Sequence, residues 1–291
     1  MQETELILNP DGSIYHLNLL PGDLAPKIIL VGDPDRVEKV GAFLDEVEIR
    51  KHKREFYTLT GLYEGQRVSV MSTGIGTDNI DIVWHELDAL FNIDFETRKP
   101  KNQAVSIQAL RLGTCGGMQA EVPVGTLIAS AWAVGGDGLM NYYDYPIYDT
   151  ALQNALDRFW EKNNGPLPLY HSPADSALLT MLSDEFPQIM QGGTFTAGGF
   201  YGPQGRSLGR LQVKLPSLPD LIGGFRHNEG RFLNMEMEAA AIMSLGKALG
   251  HRCGTIATIL ANRLRGEFAA DPKAEEKKLI QTGLSVLSKW H

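Results

Sequence analysis

The sequence predicts an α/β protein whose helices pack around a largely buried sheet. Two features support this prediction: short β-type runs alternate with segments of helical spacing, and glycines follow several of the apolar runs. No linker rich in Pro, Gly or Ser, no low-complexity tract and no internal repeat divides the 291 residues. We therefore expect one domain over residues 1–291.

The amino-terminal part of the chain predicts a strand, a helix and a hairpin. Lys27–Val31 is an uninterrupted β-type run. Asp33 suits the N-cap of the next helix and Pro34 its first turn, because an Asp side chain accepts hydrogen bonds from free backbone N–H groups and Pro has no N–H to satisfy. Residues 56–62 and 67–72 alternate in polarity on either side of a glycine-containing turn, so we expect them to pair as a hairpin.

The same alternation of patterns continues through the rest of the chain. In order, it predicts a helix at 78–91, strands at 109–112 and 124–133, helices at 151–162, 174–184 and 238–249, a strand at 255–261 and an amphipathic closing helix at 272–290. Residues 94–103 are polar, and we expect them to form an exposed excursion from the fold.

Composition and charge restrict the partners of the protein. Hydrophobic residues make up 43% of the chain, enough for a sizeable core, and 27 basic against 35 acidic side chains give a formal net charge of −8. Binding to nucleic acid or to anionic lipid requires clustered Lys and Arg, which this sequence lacks. No stretch reaches the roughly 18 apolar residues of a membrane span. We therefore expect neither nucleic acid nor a membrane as a partner.

The cysteines and the first residues indicate the compartment. Cys115 and Cys253 are too few for a disulfide framework and lack the spacing of a zinc site, so we expect no metal. The chain begins with acidic residues, whereas a signal peptide begins with a basic segment followed by an apolar run. The sequence therefore predicts a cytoplasmic protein with reduced thiols.

Three predicted strands end in turns that contain glycine. These turns are Gly32-Asp33, Gly74-Ile-Gly76 and Gly113-Thr-Cys-Gly-Gly117. Glycine permits positive φ values and lets backbone N–H groups approach an anion closely, and ligands of open α/β sheets bind beyond the carboxyl ends of the strands. None of the three matches the P-loop or the dinucleotide-binding fingerprint. Taken singly, each is also compatible with a simple tight turn.

Two arginines favour an anion site at these turns. Arg36 follows the first turn, and Arg111 precedes the third, with Thr114 beside it. Arg111 stands inside the apolar run 109–112, an unusual place for a charge unless it faces solvent or a ligand. A guanidinium group presents a planar set of donors that suits phosphate. An anion site is therefore the interpretation that we favour.

Two other polar pairs have both a structural and a functional interpretation. Gln204 and Arg206 would project together from an extended segment and present an amide and a guanidinium group, but they also suit an ordinary polar loop. Glu236 and Glu238 precede an alanine-rich helix, where acids complement the helix dipole, but a carboxylate there also suits sugar hydroxyls. The residues alone leave both interpretations open.

Five motifs occur in the order found in nucleoside phosphorylases of the trimer- or hexamer-forming class, and the chain resembles that family from about residue 13 to residue 290. The motifs are Gly32-Asp-Pro-Asp-Arg36, Ser72-Thr-Gly-Ile-Gly76, Arg111-Leu-Gly-Thr-Cys-Gly116, Phe200-Tyr-Gly-Pro-Gln-Gly-Arg206 and Asn234-Met-Glu-Met-Glu238. Within the family the chain is most similar to the uridine phosphorylases, because the spacing Phe-Tyr-x-x-Gln-x-Arg is typical of them.

The resemblance implies a three-layer α/β/α fold with a mixed central sheet that is partly closed like a barrel. It implies a pentosyltransferase that cleaves uridine reversibly to uracil and ribose 1-phosphate. Phosphate would be a co-substrate, and no metal or organic cofactor would be needed. The resemblance also implies a homo-oligomer, either a dimer or a hexamer built from dimers.

The resemblance further assigns roles to individual residues. Phosphate would be bound by Gly32, Arg36, Arg111 and Thr114, with Arg54 of a neighbouring subunit. Ribose would be bound by Met237 and Glu238, with His16 from across an interface. The base would contact Phe200, Gln204, Arg206 and Gly116, and the catalytic groups would be Arg111, Gln204 and Arg206.

Three features depart from the family pattern. Thr77-Asp-Asn79 replaces a Gly-Pro-Ser-like sequence, Cys115 replaces a threonine, and the segment 94–103 is longer than in typical bacterial relatives. The first departure affects the contacts of that turn. The change to Cys115 affects a ribose or base contact, and the longer segment affects subunit packing.

Three alternatives to a uridine phosphorylase stay open. A purine nucleoside phosphorylase of this kind carries an Asp after the strand 255–261, where this chain has Asn262 and Arg263. A hydrolytic nucleosidase of the same superfamily uses water and has no need of the phosphate-binding arginines. A protein of another class would bind nucleosides without catalysis. A turnover assay with and without phosphate separates all of these.

Overall fold

The computed structural model describes residues 1–144 and 150–291, which form a mixed sheet flanked by helices. The strands are β1 (Lys27–Val31), β2 (Glu46–Lys53), β3 (Phe56–Tyr63), β4 (Gln66–Ser72), β5 (Ile93–Asp94), β6 (Lys99–Pro100), β7 (Gln108–Gly117), β8 (Leu127–Gly135), β9 (Tyr170–Pro173), β10 (Met190–Thr196), β11 (Arg226–His227), β12 (Gly230–Glu236), β13 (Arg252–Asn262) and β14 (Glu267–Phe268). The helices are α1 (Pro34–Gly41), α2 (Thr77–Asn92), α3 (Ala151–Lys162), α4 (Ser176–Glu185), α5 (Leu218–Gly224), α6 (Ala239–Ala248) and α7 (Pro272–Lys289).

Twelve strands belong to one mixed sheet, and part of it closes on itself. The order is β11-β12-β10-β8-β13-β7-β1-β4-β3-β2, with β9 beside β8 and β14 beside β13. Strand β7 is parallel to β1 and β13, whereas β8 is antiparallel to β13. Strand β12 also pairs with β7, at Asn234 with Gly117 and Met235 with Gly116. The ring β12-β10-β8-β13-β7 is therefore closed, which confirms the expected barrel-like part of the sheet.

Helices cover both faces of the sheet. In β1, Ile28 and Leu30 pack in the apolar cluster that contains α2 and α6, whereas Ile29 and Val31 pack in the cluster that contains α1 and α7. Neighbouring side chains of a strand point to opposite faces, so a strand covered on both sides has a continuous apolar sequence. The predicted three-layer α/β/α architecture is confirmed.

Most predicted elements lie where the sequence places them. Strand β1 has the predicted bounds, and Asp33 caps α1 by accepting a hydrogen bond from the backbone N–H of Asp35 at 2.9 Å. Strands β3 and β4 form the predicted antiparallel hairpin. The predicted helices 78–91, 151–162, 174–184, 238–249 and 272–290 and strands 124–133 and 255–261 lie within a few residues of α2, α3, α4, α6, α7, β8 and β13.

The third glycine turn was an incorrect prediction, because the strand does not end at residue 112. It continues as β7 to Gly117, and Gly113 pairs with Ala257 of β13. The last two glycines pair with both β13 and β12, where the ring of strands closes. Glycine in a strand permits a bend and the close approach of a second backbone. Thr114 is therefore held in a strand and not in a loop.

Strand β2 does not show in the sequence, because its residues are mostly charged and exposed. This strand forms one edge of the sheet beside β3, and charged side chains are usual there, since they discourage pairing with other chains. Residues 94–103 are largely exposed, as expected, and include the small hairpin of β5 and β6. In the two described ranges, no helix combines the length and the hydropathy that crossing a bilayer requires.

Candidate active site

A cavity of about 380 Å³ lies at the carboxyl ends of β1, β7 and β12. All the site residues predicted from the sequence line it, except His16 and Arg54. Those present are Gly32, Arg36, Arg111, Thr114, Gly116, Phe200, Gln204, Arg206, Met237 and Glu238. Ile75 and Phe268 also border the cavity, and the sequence analysis assigns no role to them.

Arg111 presents a buried cation to this cavity. Its Nη2 donates a hydrogen bond to Oε2 of Glu238, and its Nη1 lies 3.5 Å from Oε2 of Glu236. Nε and Nη1 are buried and form no hydrogen bond to any described residue. Burial acts to lower the pKa of Arg111, but the carboxylates of Glu238 and Glu236 raise it above its ordinary value. A charged guanidinium with free donors is well suited to bind an anion.

The two carboxylates beside Arg111 have different surroundings. Glu236 accepts hydrogen bonds from the hydroxyl of Thr196 at 2.6 Å and from the backbone N–H of Glu238 at 2.8 Å. Glu236 therefore bonds to free backbone N–H groups at the start of α6. This is the structural role, that of an acid at a helix N-terminus, which the sequence also allowed for this pair. Glu238 accepts a hydrogen bond from the backbone N–H of Gly76 at 2.7 Å and one from Arg111. Both carboxylates border the cavity, but the oxygens of Glu236 are already bonded to N–H groups at the start of α6. Of the two, Glu238 is the better candidate to bind a sugar hydroxyl.

Arg36 adds a second cation to the same cavity. It lies in the first turn of α1, and its Nη1 donates to the carbonyl oxygen of Leu112 at 3.2 Å. Its Nε donates to Oε1 of Glu276 at 2.6 Å. Gly32 and Thr114 border the cavity beside it. Two arginines from different elements therefore contribute positive charge to one cavity.

Gln204 and Arg206 meet, but Gln204 does not lie in the extended segment that the sequence predicts. It ends a short 3-10 turn, Gly202–Gln204. Nη1 of Arg206 donates to Oε1 of Gln204 and to the carbonyl oxygen of Phe200, the latter at 2.9 Å. The guanidinium carbon of Arg206 lies 4.1 Å from the centre of the Phe200 ring. An amide, a guanidinium and an aromatic ring therefore converge at this side of the cavity.

Arg263 is a site contact that the sequence analysis missed. Its Nη1 donates to the carbonyl oxygen of Gln204 at 2.8 Å and so holds the turn in place. Its neighbour Asn262 is buried and donates to the carbonyl oxygens of Gln119 and Val122, both at 2.9 Å. A purine nucleoside phosphorylase would carry an Asp at this position. Here the position is occupied by an amide that donates hydrogen bonds to two carbonyl oxygens of a loop. In the sequence, Arg263 stands out only as the neighbour of Asn262, at the position where the purine enzymes carry an Asp.

His16 and Arg54 lie outside the cavity of their own chain. Nδ1 of His16 is 2.6 Å from Oε1 of Glu86, and that carboxylate also accepts the backbone N–H of Leu17 at 2.8 Å. Arg54 has a φ of 56°, and its guanidinium carbon lies 5.9 Å from the centre of the Tyr15 ring. The resemblance places both side chains in the site of a neighbouring subunit, and that role stays a prediction.

The departures from the family pattern lie in ordered surroundings. Cys115 is buried, its Sγ donates to the carbonyl oxygen of Thr258 at 3.4 Å, and burial raises the pKa of its thiol to about 12. Cys115 borders the cavity, but a buried, protonated thiol suits an apolar filler better than a nucleophile. Thr77 begins α2, and the side-chain amide of Asn79 donates to the carbonyl oxygen of Ile75 at 3.4 Å, which closes the turn.

The remaining described residues offer less to a polar ligand. A larger cavity of about 680 Å³ lies beyond the loop that contains Arg206, but its walls, which include Trp160, Phe195 and Leu218, are mostly apolar. Across residues 1–144 and 150–291, no cluster of three or more His, Cys, Asp or Glu side chains has the arrangement of a metal site. The smaller cavity, in which the charged groups converge, is therefore the candidate active site.

Comparison with known proteins agrees with this fold. Residues 26–288 match the family described as the phosphorylase superfamily. The uridine phosphorylase of Thermococcus kodakarensis is 30% identical over 285 residues, which cover 96% of this chain and 88% of that protein. A DeoD-type purine nucleoside phosphorylase of Streptococcus suis is 28% identical, with 94% of this chain and 98% of that protein covered.

A solved structure is similar over nearly the whole chain. It is a nucleoside phosphorylase of Trypanosoma brucei, described as showing uridine phosphorylase activity, with a TM-score of 0.88 and 29% identity over 97% of this chain and 99% of that one. The fold and these similarities define a nucleoside phosphorylase. The chain belongs to the phosphorylase superfamily.

Proposed function

We propose that this protein is a uridine phosphorylase, which cleaves uridine reversibly with phosphate to uracil and ribose 1-phosphate. The main support is that three kinds of group converge on one cavity: two arginines, the carboxylate of Glu238, and the pair of Gln204 and Arg206. They suit a phosphate, a sugar hydroxyl and the polar edge of a pyrimidine, respectively. The similarity to uridine phosphorylases supports the same substrate.

The phosphate end of the proposed site contains the arginines. We assign phosphate binding to Gly32, Arg36, Arg111 and Thr114, with Arg54 contributed by a neighbouring subunit. The buried donors Nε and Nη1 of Arg111, which bond to no described residue, support this assignment. A phosphate that binds there would pair with a charge already fixed in place, so little reorganisation would accompany binding.

The proposed reaction is a displacement at C1′ of the ribose. An oxygen of phosphate forms a bond to C1′ while the bond from C1′ to N1 of uracil breaks, and the electron pair of that bond leaves with the base. The sugar becomes cation-like as the bond breaks, and the phosphate held by the arginines stabilises it. Gln204 and Arg206 stabilise the departing uracil anion by donating to its carbonyl oxygens, and the anion then takes up a proton from solvent.

The remaining assignments concern ribose, the base and the assembly. Met237 and Glu238 bind ribose, His16 of a neighbouring subunit binds its 5′-hydroxyl, and Phe200 and Gly116 contact the base. The protein is therefore a homo-oligomer, a dimer or a hexamer built from dimers, and it acts in the cytoplasm. Orientation and charge from these residues account for the chemistry, with phosphate as co-substrate and without a metal or organic cofactor.

The experiment that tests this function measures uracil release from uridine with and without phosphate. We expect turnover only with phosphate and ribose 1-phosphate as the second product. Free ribose formed without phosphate would identify a hydrolase instead. Binding of uridine without any turnover would identify a non-catalytic nucleoside-binding protein.

The similarity to DeoD-type enzymes makes a purine nucleoside phosphorylase the second candidate. The buried amide of Asn262 stands where that activity would place an acid, and Gln204 with Arg206 suits a pyrimidine. Faster cleavage of inosine than of uridine would favour this second candidate over the first.

A further inference from the structure

An ion cluster joins the cavity to the last helix. Glu276, in the first two turns of α7, accepts a hydrogen bond from Nε of Arg36 at 2.6 Å and one from Nζ of Lys39 at 2.5 Å. Arg36 and Glu276 are each only 9% exposed, whereas the side chain of Lys39 is 48% exposed. Lys39 does not line the cavity and follows Arg36 by about one turn of α1.

The cluster fixes the orientation of the Arg36 guanidinium. Glu276 accepts a hydrogen bond from Nε of Arg36, and the carbonyl oxygen of Leu112 accepts one from Nη1 at 3.2 Å. These two contacts come from different elements and define the plane of the group. Arg36 lines the cavity and can donate to a ligand there through both hydrogens of Nη2 and the second hydrogen of Nη1.

The cluster also keeps this part of the site positive. Burial acts to raise the pKa of Glu276, but the hydrogen bonds from Lys39 and Arg36 lower it below its ordinary value, so its carboxylate is charged. A pair of Arg36 with Glu276 alone would be neutral and would attract an anion weakly. Lys39 balances the carboxylate, so the three side chains together carry one positive charge.

We propose that Glu276 is a positioning residue for phosphate, which holds Arg36 in the orientation that binds the anion, and that Lys39 preserves the positive charge of Arg36 by balancing Glu276. This inference rests on the proposed function, because it assigns a phosphate contact to Arg36. Neither Glu276 nor Lys39 touches the substrates. Their effects should therefore appear in phosphate affinity and not in the affinity for uridine.

The first test compares Glu276→Asp with Glu275→Asp, a matched change on the same helix that does not touch Arg36. Glu276→Asp keeps the negative charge but shortens the side chain by one methylene, so its carboxylate is drawn away from Nε of Arg36. We expect this change to raise the KM for phosphate about tenfold, the size of one lost charge-assisted hydrogen bond, with the KM for uridine nearly unchanged. Glu275→Asp should leave both values near those of the wild type. An unchanged or lower phosphate KM in Glu276→Asp would overturn the proposal.

A double-substitution cycle tests whether Glu276 acts through Arg36. In an Arg36→Ala background, the charge-conserving Glu276→Asp should have little further effect on the phosphate KM. An equal effect in both backgrounds would show that Glu276 acts in another way and would refute the positioning role.

The half-exposed Lys39 provides a separate test, which also serves if Glu276→Asp fails to fold. Lys39→Met should weaken phosphate binding and Lys39→Arg should not. Equal affinities in the two variants would refute the charge-balancing role.

A binding measurement separates this inference from the proposed function. The rise in thermal unfolding temperature on adding inorganic phosphate alone reports binding without turnover. A wild-type protein stabilised by phosphate but inactive on uridine would refute the proposed function only. A phosphate response that is equal in the wild type and in Glu276→Asp would refute the positioning role, whatever the activity.

Discussion

The guanidinium of Arg111 lies against the backbone of Gly113: a Cβ at residue 113 would stand 1.8 Å from Nη1 and 2.7 Å from Cζ of Arg111. The two residues are two positions apart in β7 and therefore face the same side of the strand. Only a residue without a side chain leaves this space to the guanidinium. Gly113 thus permits the orientation in which Arg111 reaches Glu238.

From this contact we expect Gly113→Ala to displace Arg111 and to lower kcat/KM for phosphate by at least about tenfold, since one charge-assisted hydrogen bond is worth that much. Steady-state rates at limiting phosphate measure the effect. Gly224→Ala is the control, because the Cβ that it would add has no atom within 4 Å apart from its chain neighbours and the backbone of its own helix. A Gly113→Ala enzyme with wild-type kinetics would show that the orientation of Arg111 is not needed.

Arg111→Ala tests the anion site directly. The change removes the buried donors and leaves Glu236 and Glu238 without their counter-charge. We expect a loss of about 1.5–3 kcal/mol in transition-state stabilisation, or roughly 10- to 150-fold in kcat/KM for phosphate. Thermal unfolding of the variant, measured alongside, separates a folding defect from a catalytic one. Full activity at limiting phosphate would mean that the anion binds elsewhere.

The sequence predicts the role of a residue when that role depends on neighbours along the chain. Asp33 begins a helix for local reasons, and Arg111 is conspicuous because a charge inside an apolar run requires a partner. Glu276 and Arg263 act through contacts with residues far away in sequence, and their own surroundings are those of an ordinary helix start and a polar loop. The pairing of residues 113–117 with two strands is hidden for the same reason, since it is not local.

The proposed contribution of Arg54 predicts complementation between subunits. If Arg54 of one subunit completes the site of its neighbour, Arg54→Ala and Arg111→Ala should each be nearly inactive alone. A mixed assembly of the two variants would contain some sites that lack neither side chain. Co-expression with two affinity tags and purification through both should restore about a quarter to a half of the wild-type activity, as expected for a two-fold interface. Mixed assemblies no more active than either parent would mean that each site is built from one chain.

The buried thiols should be inert at ordinary pH. Burial raises the pKa of Cys115 to about 12, and it also raises the pKa of Cys253, so both thiols stay protonated at pH 8 and expose little thiolate to a reagent. Iodoacetamide at pH 8 should therefore leave the native enzyme active, and intact mass should show no added groups. Unfolding in guanidinium chloride should make both cysteines reactive. Rapid loss of activity in the native state, with alkylation of Cys115, would contradict its role as an apolar filler.

The geometry of the base end predicts a strong preference for uracil over cytosine. The side-chain amide of Gln204 both donates and accepts, whereas Arg206 only donates. Arg206 already donates to Oε1 of Gln204, which leaves the amide hydrogens of Gln204 and other guanidinium hydrogens for carbonyl oxygens of a base. Uracil and thymine present two carbonyl groups, while cytosine replaces one by an amino group that would face these donors.

An unpaired donor in a buried site discriminates strongly, so uridine should be cleaved well, cytidine poorly, and inosine and adenosine weakly. Gln204→Ala and Arg206→Ala should reduce uridine turnover more than they weaken phosphate binding, because neither side chain is assigned to the anion. Side-by-side values of kcat/KM for the four nucleosides measure the preference, and the phosphate-induced rise in unfolding temperature measures the anion site separately. Preferential cleavage of inosine would assign the protein to the purine enzymes and remove the base-binding roles given to Gln204 and Arg206.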